Sequence, residues 1–312
     1  MNSSDTTGNT YQLYQYTPNI GAAVFFAVVF IFATAVLIVE ICISSKKVKT
    51  VMRSFQSDDE EANAGTYRFG VLPPKKISAK YICLIIGCVL EAIGYIGRAV
   101  SARNLDSLGP FIIQSVLLLV SPALMAASIY MIFGRILVLT DATAASIVPA
   151  RYSTTIFVCG DILSFLMQAS GGGLEASESS RDMGEKIIVG GLIIQIIFFG
   201  LFLVTEIRYI YVMSRRVSMG KRFKCANLVL LTASILIMIR SIVRTIEFAQ
   251  GYDGYLISHE WTIFVFDAIP MSFVAVLFLA TLPHSGLFRL EIKKAGRFLV
   301  KELDPMDCPA KY

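Results

Sequence analysis

Of the 312 residues, 55% are hydrophobic and only 16% are charged, and the mean hydropathy is +0.66. A soluble domain carries roughly 25% charged residues, so this composition excludes an ordinary soluble protein and indicates an integral membrane protein. The net charge of +5 does not indicate a nucleic-acid partner, because the basic residues are distributed as in a membrane protein.

Seven apolar segments are long enough to cross a bilayer, which takes about 20 residues. They lie at 20–43, 80–99, 110–139, 152–170, 187–208, 225–247 and 260–282. These segments predict an all-α membrane protein, a seven-transmembrane helix bundle spanning residues 20–282. Residues 1–19 are predicted to be an extracellular N-terminal tail, and residues 283–312 a cytoplasmic C-terminal tail.

The direction of the bundle follows from Lys and Arg, which concentrate on the cytoplasmic side of membrane proteins. The segments 44–80, 135–151, 208–224 and 283–312 hold 22 of the 28 Lys and Arg residues, whereas the tail and loops on the opposite side hold 4. This asymmetry predicts an N-terminus outside and a C-terminus in the cytoplasm. Asn2, in the sequon Asn2-Ser3-Ser4, is then an extracellular glycosylation candidate.

Two of the cytoplasmic segments carry further patterns. The segment 44–80 is rich in charge and is predicted to be a solvated polar loop. The stretch LFRLEIKKAGRFLVKEL at 287–303 interleaves apolar residues with Lys and Arg. Such a pattern is typical of a short helix lying on the membrane surface.

The sixth apolar segment contains three charged residues where lipid would be expected. Arg240, Arg244 and Glu247 lie at i, i+4 and i+7, and therefore on one helix face. Insertion scales place an arginine at the bilayer centre at about 2.5 to 3.5 kcal/mol unfavourable. This face must therefore be turned towards protein, water or an anion rather than towards lipid.

Polar residues recur at helical spacing in the other segments. In the predicted orientation they converge on the outer half of the bundle, with Glu91 and Asp161 near the midplane, which predicts a cavity open to the outer leaflet or the exterior. The candidate site residues are Glu91, Arg98, Asp161, Gln168, Gln195, Arg240, Arg244, Glu247, Glu260 and Asp267.

Two interpretations of this pattern are open. The residues either contact a substrate, which is the usual role of ionisable groups within a membrane, or form Arg–carboxylate pairs that only hold the helices together. In either case we expect Arg240 and Arg244 to pair with carboxylates of other segments, the candidates being Glu91, Asp161 and Asp267. Glu40 and Glu206 lie near the inner ends of their segments and are predicted to be interfacial and wet.

Other classes of membrane protein fit less well. His259 and His284 form no ligand pair, the six cysteines show no metal-ligand spacing, and no G-x-S-x-G or H-E-x-x-H motif is present, so neither an enzyme nor a cofactor is predicted. The last segment lacks the lysine of a retinal protein, and the third lacks the acid–Arg pair of a G-protein-coupled receptor. A carboxylate-only intramembrane enzyme and a receptor of another kind stay open.

Six blocks of the sequence, in order between about residues 14 and 285, resemble the fungal RTA-like lipid-translocating exporter family. They are YTPNIGAAVFFAVVF, LEAIGYIGRAV, GPFIIQSVLLLVSPALMAASIYMIFGRIL, FVCGDILSFLMQASGGG, RSIVRTIEFAQG and HEWTIFVFDAIPM. The resemblance implies seven transmembrane helices, residence in the plasma membrane or another fungal membrane, and roles in sphingoid-base export, porphyrin passage and resistance to toxic amphiphiles. The family's motif positions fall on Gly94 and on all the candidate site residues except Gln195.

The residues and the resemblance together predict a transporter or translocase of amphipathic lipid-like molecules, with a protonated sphingoid base preferred. An acid such as Glu91 or Asp161 would receive the ammonium group, while Arg98, Arg240 and Arg244 would balance the carboxylates or bind an anionic headgroup. No ATP-binding loop is present, so pumping would need proton coupling, a partner protein or a downhill gradient. The alternative is a receptor-like sensor or regulator of lipid asymmetry or stress response with the same pocket. No oligomeric state is predicted.

Overall fold

The chain folds into a bundle of long helices without strands in the part that the structure describes. The computed structural model describes residues 19–54, 72–103, 108–140, 150–175, 180–216, 221–250, 254, 259–288 and 290–292. Seven helices within these ranges are long and apolar enough to cross a membrane. The predicted all-α, multi-pass fold is therefore confirmed, whereas the side that each end faces stays a prediction. Asn2 lies outside the described residues.

Each predicted apolar segment forms the centre of one helix. The helices are α1, Ile20–Ser54; α2, Pro74–Ser101; α3, Leu108–Leu139; α4, Ala150–Glu175; α5, Arg181–Arg216; and α6, Lys221–Ala249. The seventh helix, α7, consists of Glu260–Ile263, a π-helical turn Phe264–Ala268, and Ile269–Ser285. Several helices extend beyond the predicted apolar segments. In α1, for example, the helix continues from residue 43 to Ser54, because lysine and several other polar residues have a high helix propensity.

The helices pack as a closed ring. Each contacts its neighbours in the chain, α1 also contacts α7, and α3 touches α6 across the middle. Small residues permit the closest approaches. Gly87 of α2 lies against Ser121 and Met125 of α3, and a Cβ added at Gly160 of α4 would lie 2.4 Å from the ring of Phe198 on α5.

Apolar side chains cover both the outside and the centre of the ring. Large residues such as Phe32, which is 68% exposed, point outwards, as expected for a surface that contacts lipid rather than water. Inside, α3, α4 and α5 share a set of packed rings that we call the aromatic cluster. Its members are Tyr130, Phe133, Phe157, Phe199, Phe202 and Tyr209.

The two ends of the bundle are named here after a residue that lies at each. At the Asn19 end α1 and α7 begin; at the Glu291 end α7 finishes and the chain folds back. Leu287, Phe288 and Leu290 are fully buried there, and the ring of Phe288 stacks on Tyr81 of α2 with the centroids 5.8 Å apart. The prediction of a surface helix is therefore wrong as far as Ile292, because these apolar side chains are buried within the bundle rather than in lipid.

Candidate functional site

A buried ion pair joins three helices in the half of the bundle nearer the Asn19 end. Nε of Arg240 on α6 donates to Oδ1 of Asp267 on α7, and Nη2 of the same arginine donates to the backbone carbonyl of Leu118 on α3 at 2.5 Å. Asp267 belongs to the π-helical turn, a feature that is frequent at functional sites. The predicted pairing of Arg240 with a carboxylate of another segment is confirmed.

Arg244 finds its partner on its own helix instead. Its Nη1 donates to both carboxylate oxygens of Glu247, at 3.0 and 2.9 Å, and its guanidinium lies 5.4 Å from the centre of the Phe248 ring. The prediction that Arg244 pairs with another segment is therefore wrong. Residues three apart on a helix are already neighbours, so this pair forms without a second helix.

A third ion pair lies closer to the Asn19 end. Nη2 of Arg98 on α2 donates to Oε1 of Glu260 on α7 at 2.9 Å, and the same oxygen accepts the backbone N–H of Asn19 at 2.7 Å. The guanidinium of Arg98 also lies 5.5 Å from the centre of the Phe264 ring. This contact set fixes the starts of α1 and α7 to the end of α2.

Glu91 on α2 has no such partner, although it lies beside these pairs. Its side chain is 0% exposed, and neither carboxylate oxygen has a hydrogen-bond partner among the residues that the structure describes. Asp267, Arg240 and Arg244 are all within electrostatic reach. The hydroxyl of Ser121, which also lies nearby, donates to the carbonyl of Gly87 at 2.8 Å.

These residues form what we call the α2/α6/α7 cluster. Its members are Glu91, Arg98, Arg240, Arg244, Glu247, Glu260 and Asp267. Acidic and basic side chains lie side by side in this cluster, and these are the groups that make charge-assisted hydrogen bonds to cations and to anions respectively.

A narrow cleft between α6 and α7 reaches this cluster. The cleft is tight, with free space for about one water molecule, and its lining combines charged and apolar side chains. The lining residues are Arg240, Val243, Arg244, Glu247, Thr262, Ile263, Phe266 and Asp267. Exposed apolar residues of both helices, such as Ile239 and Val265, flank it. The cleft therefore suits a molecule with a polar head and an apolar tail.

The remaining predicted site residues form a second group between α4 and α5. Nε2 of Gln168 donates to Oγ of Ser164 at 2.7 Å and to Oε1 of Gln195 at 3.2 Å, and Ser164 donates to the carbonyl of Gly191 at 2.7 Å. Asp161, only 7% exposed, lies against the phenol of Tyr130 on α3. The structure thus divides the predicted site into two groups, each with its own contacts.

Two charged residues at the Glu291 end were not predicted as partners. Arg135 on α3 donates from Nε and Nη2 to the two carboxylate oxygens of Glu291, at 2.5 and 3.0 Å, and Glu291 is fully buried. The backbone N–H of Leu72 also donates to Glu291, at 3.4 Å. The partners are 156 residues apart, so no local pattern could have paired them.

Glu206 on α5 was predicted to be wet, and this prediction is wrong because the side chain is only 1% exposed. The predicted apolar segment ends at residue 208, but α5 continues to Arg216, so Glu206 lies well inside the helix.

Within the described ranges, no group of three or more His, Cys, Asp and Glu side chains is placed to hold a metal ion.

Comparison with known proteins identifies relatives of this chain. The RTA1 like protein family matches residues 84–290. Protein RTM1 of Saccharomyces cerevisiae is 41% identical over 288 residues, which cover 89% of this chain and 93% of that protein. Protoporphyrin uptake protein 1 of the same species is 42% identical over 282 residues, covering 88% and 92% of the two chains.

A more distant relative carries a name that states a substrate. The sphingoid long-chain base transporter RSB1 of Saccharomyces cerevisiae is 27% identical over 245 residues, which cover 66% of this chain and 64% of that protein. No solved structure matches the chain. The family match spans six of the seven helices and both groups of site residues. The chain therefore belongs to the RTA1-like protein family.

Proposed function

We propose that this protein moves amphipathic lipid-like molecules across its membrane, with a protonated amine such as a sphingoid base as the preferred headgroup. The observation that carries the proposal is Glu91, a fully buried carboxylate without a hydrogen-bond partner among the described residues. Removing one ion from water costs several kcal/mol, and at Glu91 this burial outweighs the attraction of the nearby Arg240 and Arg244. A cation that reaches Glu91 would remove that cost.

The cleft between α6 and α7 supplies a route to the cluster. A headgroup that entered between Arg244 and Phe266 would meet charges of both signs, while its tail stayed against the apolar outer surface of the two helices. The ion pair of Arg240 and Asp267 lies at the inner side of this route and links α6 to α7 and α3. A headgroup that exchanged partners with this pair would loosen the contact between those helices.

The names of the relatives support a substrate class rather than one substrate. One is named for a sphingoid long-chain base and the other for protoporphyrin. The first kind of molecule carries an amine and the second carries carboxylates, and the α2/α6/α7 cluster contains acids and arginines suited to both. We therefore expect the protein to select its substrates mainly by their amphiphilic shape and less strongly by the charge of their headgroup.

We further propose that the Asn19 end faces the outside of the plasma membrane, on the basis of the Lys and Arg distribution. A tag at residue 2 should then be reached by antibody on intact cells, and a tag at residue 312 only after permeabilisation. A C-terminal tag that is accessible on intact cells would reverse the orientation and place the cluster in the cytoplasmic half.

The function itself is tested in liposomes that contain only this protein. We expect a fluorescent sphingoid base to cross faster than in protein-free liposomes, and its N-acylated, uncharged counterpart to gain much less. A matched control is Glu40→Gln, which removes a half-buried acid of α1 outside the cluster and should leave flux unchanged. Equal acceleration of the charged and the uncharged lipid would contradict the role of the acids.

A lipid sensor is the second candidate function. It is favoured by the residues that directly follow α7, of which Leu287, Phe288 and Glu291 are buried against α2 and α3, so that a change in helix packing would act on this part of the chain. Saturable binding of the sphingoid base without any flux in the same liposomes would select this alternative.

A further inference from the structure

Among the described residues, a second acid without a hydrogen-bond partner lies outside both groups of predicted site residues. Glu206 is on α5, towards the Glu291 end from the contacts of Gln195, and it is almost fully buried. Neither of its carboxyl oxygens has a hydrogen-bond partner among the described residues, and the same is true of the hydroxyl of Ser234 on α6. These two side chains face each other across the contact between α5 and α6.

Within the described ranges no Lys or Arg forms an ion pair with Glu206, and the arginines in the half of α6 nearer the Asn19 end, Arg240 and Arg244, bond Asp267 and Glu247. On α5 itself Arg208 is exposed; on α6 Lys224 and Cys225 are exposed. On α4 the only buried acid in the described residues is Asp161, which lies against Tyr130. Among the residues that the structure describes, the neighbour that acts on the carboxyl group of Glu206 is the Ser234 hydroxyl.

The surroundings of Glu206 can accommodate a bound proton but not a larger cation. An ionised carboxylate without a partner in the membrane interior is strongly disfavoured, whereas a protonated carboxyl can donate its O–H to Ser234 and accept the serine hydroxyl in return. Glu206 lines neither the cleft between α6 and α7 nor a second small cleft beside Tyr81 and Leu287, so neither brings a lipid headgroup to it.

Three polar side chains come together one turn from Glu206, towards the Glu291 end. Tyr209 lies one turn further along α5, and its hydroxyl is 3.2 Å from Oγ1 of Thr140, which directly follows α3. The amide of Asn227 on α6 also lies against this tyrosine. The apolar rings of the aromatic cluster, Phe133 and Phe202 among them, lie between Tyr209 and the pair of Tyr130 and Asp161.

We propose that Glu206 is a proton-binding site that exchanges with the Glu291 end of the bundle through Tyr209, Thr140 and Asn227. In the binding step a proton from water forms the O–H bond of the Glu206 carboxyl, which loses its negative charge. In the release step that bond breaks and the proton returns to water. The further claim that this exchange drives amphiphile movement rests on the proposed function, whereas the protonation does not.

Protonation is tested on the purified full-length protein by infrared difference spectroscopy between acidic and alkaline pH. We expect a carboxylic C=O band in the wild type that is absent in Glu206→Gln and retained in Glu185→Gln, which changes a less buried acid of the same helix. Ser234→Ala should keep the band but shift its frequency, because the protonated carboxyl can then no longer exchange hydrogen bonds with the serine hydroxyl. An unchanged band in Glu206→Gln, or in Ser234→Ala if the first variant does not fold, would overturn the proposal.

Coupling is tested separately by sphingoid-base flux in liposomes with and without a pH gradient. We expect Glu206→Gln to retain downhill flux but to lose the stimulation by the gradient, while Glu185→Gln keeps both. Gradient-stimulated flux at the wild-type level in Glu206→Gln would overturn the coupling. Absence of flux in the wild type would refute the proposed function and this coupling, but the infrared result would still decide whether Glu206 binds a proton.

Discussion

The two ends of the bundle use buried charges differently. At the Glu291 end, Arg135 bonds both oxygens of Glu291, and a backbone N–H completes the set. Near the Asn19 end, Arg240 and Asp267 form a comparable pair, but Glu91 remains beside them without a hydrogen-bond partner among the described residues. A satisfied pair has a structural explanation, whereas an unsatisfied acid destabilises the bundle, so its presence indicates a function.

The largest loss of stability is expected from breaking the pair near the Asn19 end. Arg240→Met leaves the carboxylate of Asp267 buried without its partner and removes the bond to Leu118, at a cost of about 3–5 kcal/mol in the free energy of unfolding. Denaturant unfolding in detergent measures this loss. The double variant Arg240→Met/Asp267→Leu should recover much of it, because both charges are then absent. A double variant that is no more stable than the single one would contradict the account.

A smaller loss is expected at the Glu291 end. Glu291→Gln removes the charge that Arg135 bonds, and we expect a cost of about 1.5–3 kcal/mol, the range for hydrogen bonds to charged groups. The cost is below that of Arg240→Met because Arg135 lies nearer the end of its helix and can reach water. Limited proteolysis should also cut the tail faster than in Glu185→Gln. Identical cleavage rates in the two variants would mean that the pair does not hold the tail.

The close contact between α4 and α5 provides a reference for these two values. Gly160→Ala places a methyl group against the side chain of Phe198, where a Cβ would lie 2.4 to 2.9 Å from ring and chain atoms, and such overpacking costs about 1–3 kcal/mol. Gly172→Ala is the matched control, since a Cβ there meets nothing within 4 Å. Equal unfolding temperatures for the two variants would show that α4 and α5 shift apart without strain.

The smallest change in stability is expected at an acid without a full set of partners. Asp161→Asn keeps the shape of the side chain and removes its charge, so we expect a loss of about 1 kcal/mol or less in the free energy of unfolding. Flux of the amine-bearing lipid should nevertheless be lost. Abundance, stability and flux measured in one preparation separate the two effects; flux that falls only in proportion to abundance would mean that Asp161 merely holds the helices together.

The sequence predicted the helices better than it predicted the contacts between them. Apolar length determines where a chain can cross a membrane, and all seven segments lie within helices. Helical spacing also placed Arg240 on a face turned towards protein, and its partner Asp267 was among the three acids proposed. One-dimensional patterns could identify such faces because each depends on residues less than two turns apart.

The incorrect predictions concern which residues contact each other and where the helices end. The pairing of Arg135 with Glu291 depends on how the chain folds back after α7, which no local pattern encodes. Arg244 bonds Glu247 because a neighbour on the same helix was closer than any other helix. Glu206 was misplaced because the end of an apolar segment is not the end of a helix. The division of the site into two groups likewise depends on the order of helices around the ring.

The most direct test of the central claim is to replace Glu91 by Gln and to measure stability and sphingoid-base flux in the same liposome preparation. We expect the unfolding temperature of the variant to equal or exceed that of the wild type, because a buried acid without a hydrogen-bond partner is removed. We also expect the variant to lose charge-selective flux. A less stable variant that still moves the charged lipid faster than its N-acylated counterpart would contradict this claim, since Glu91 would then contribute to structure and not to transport.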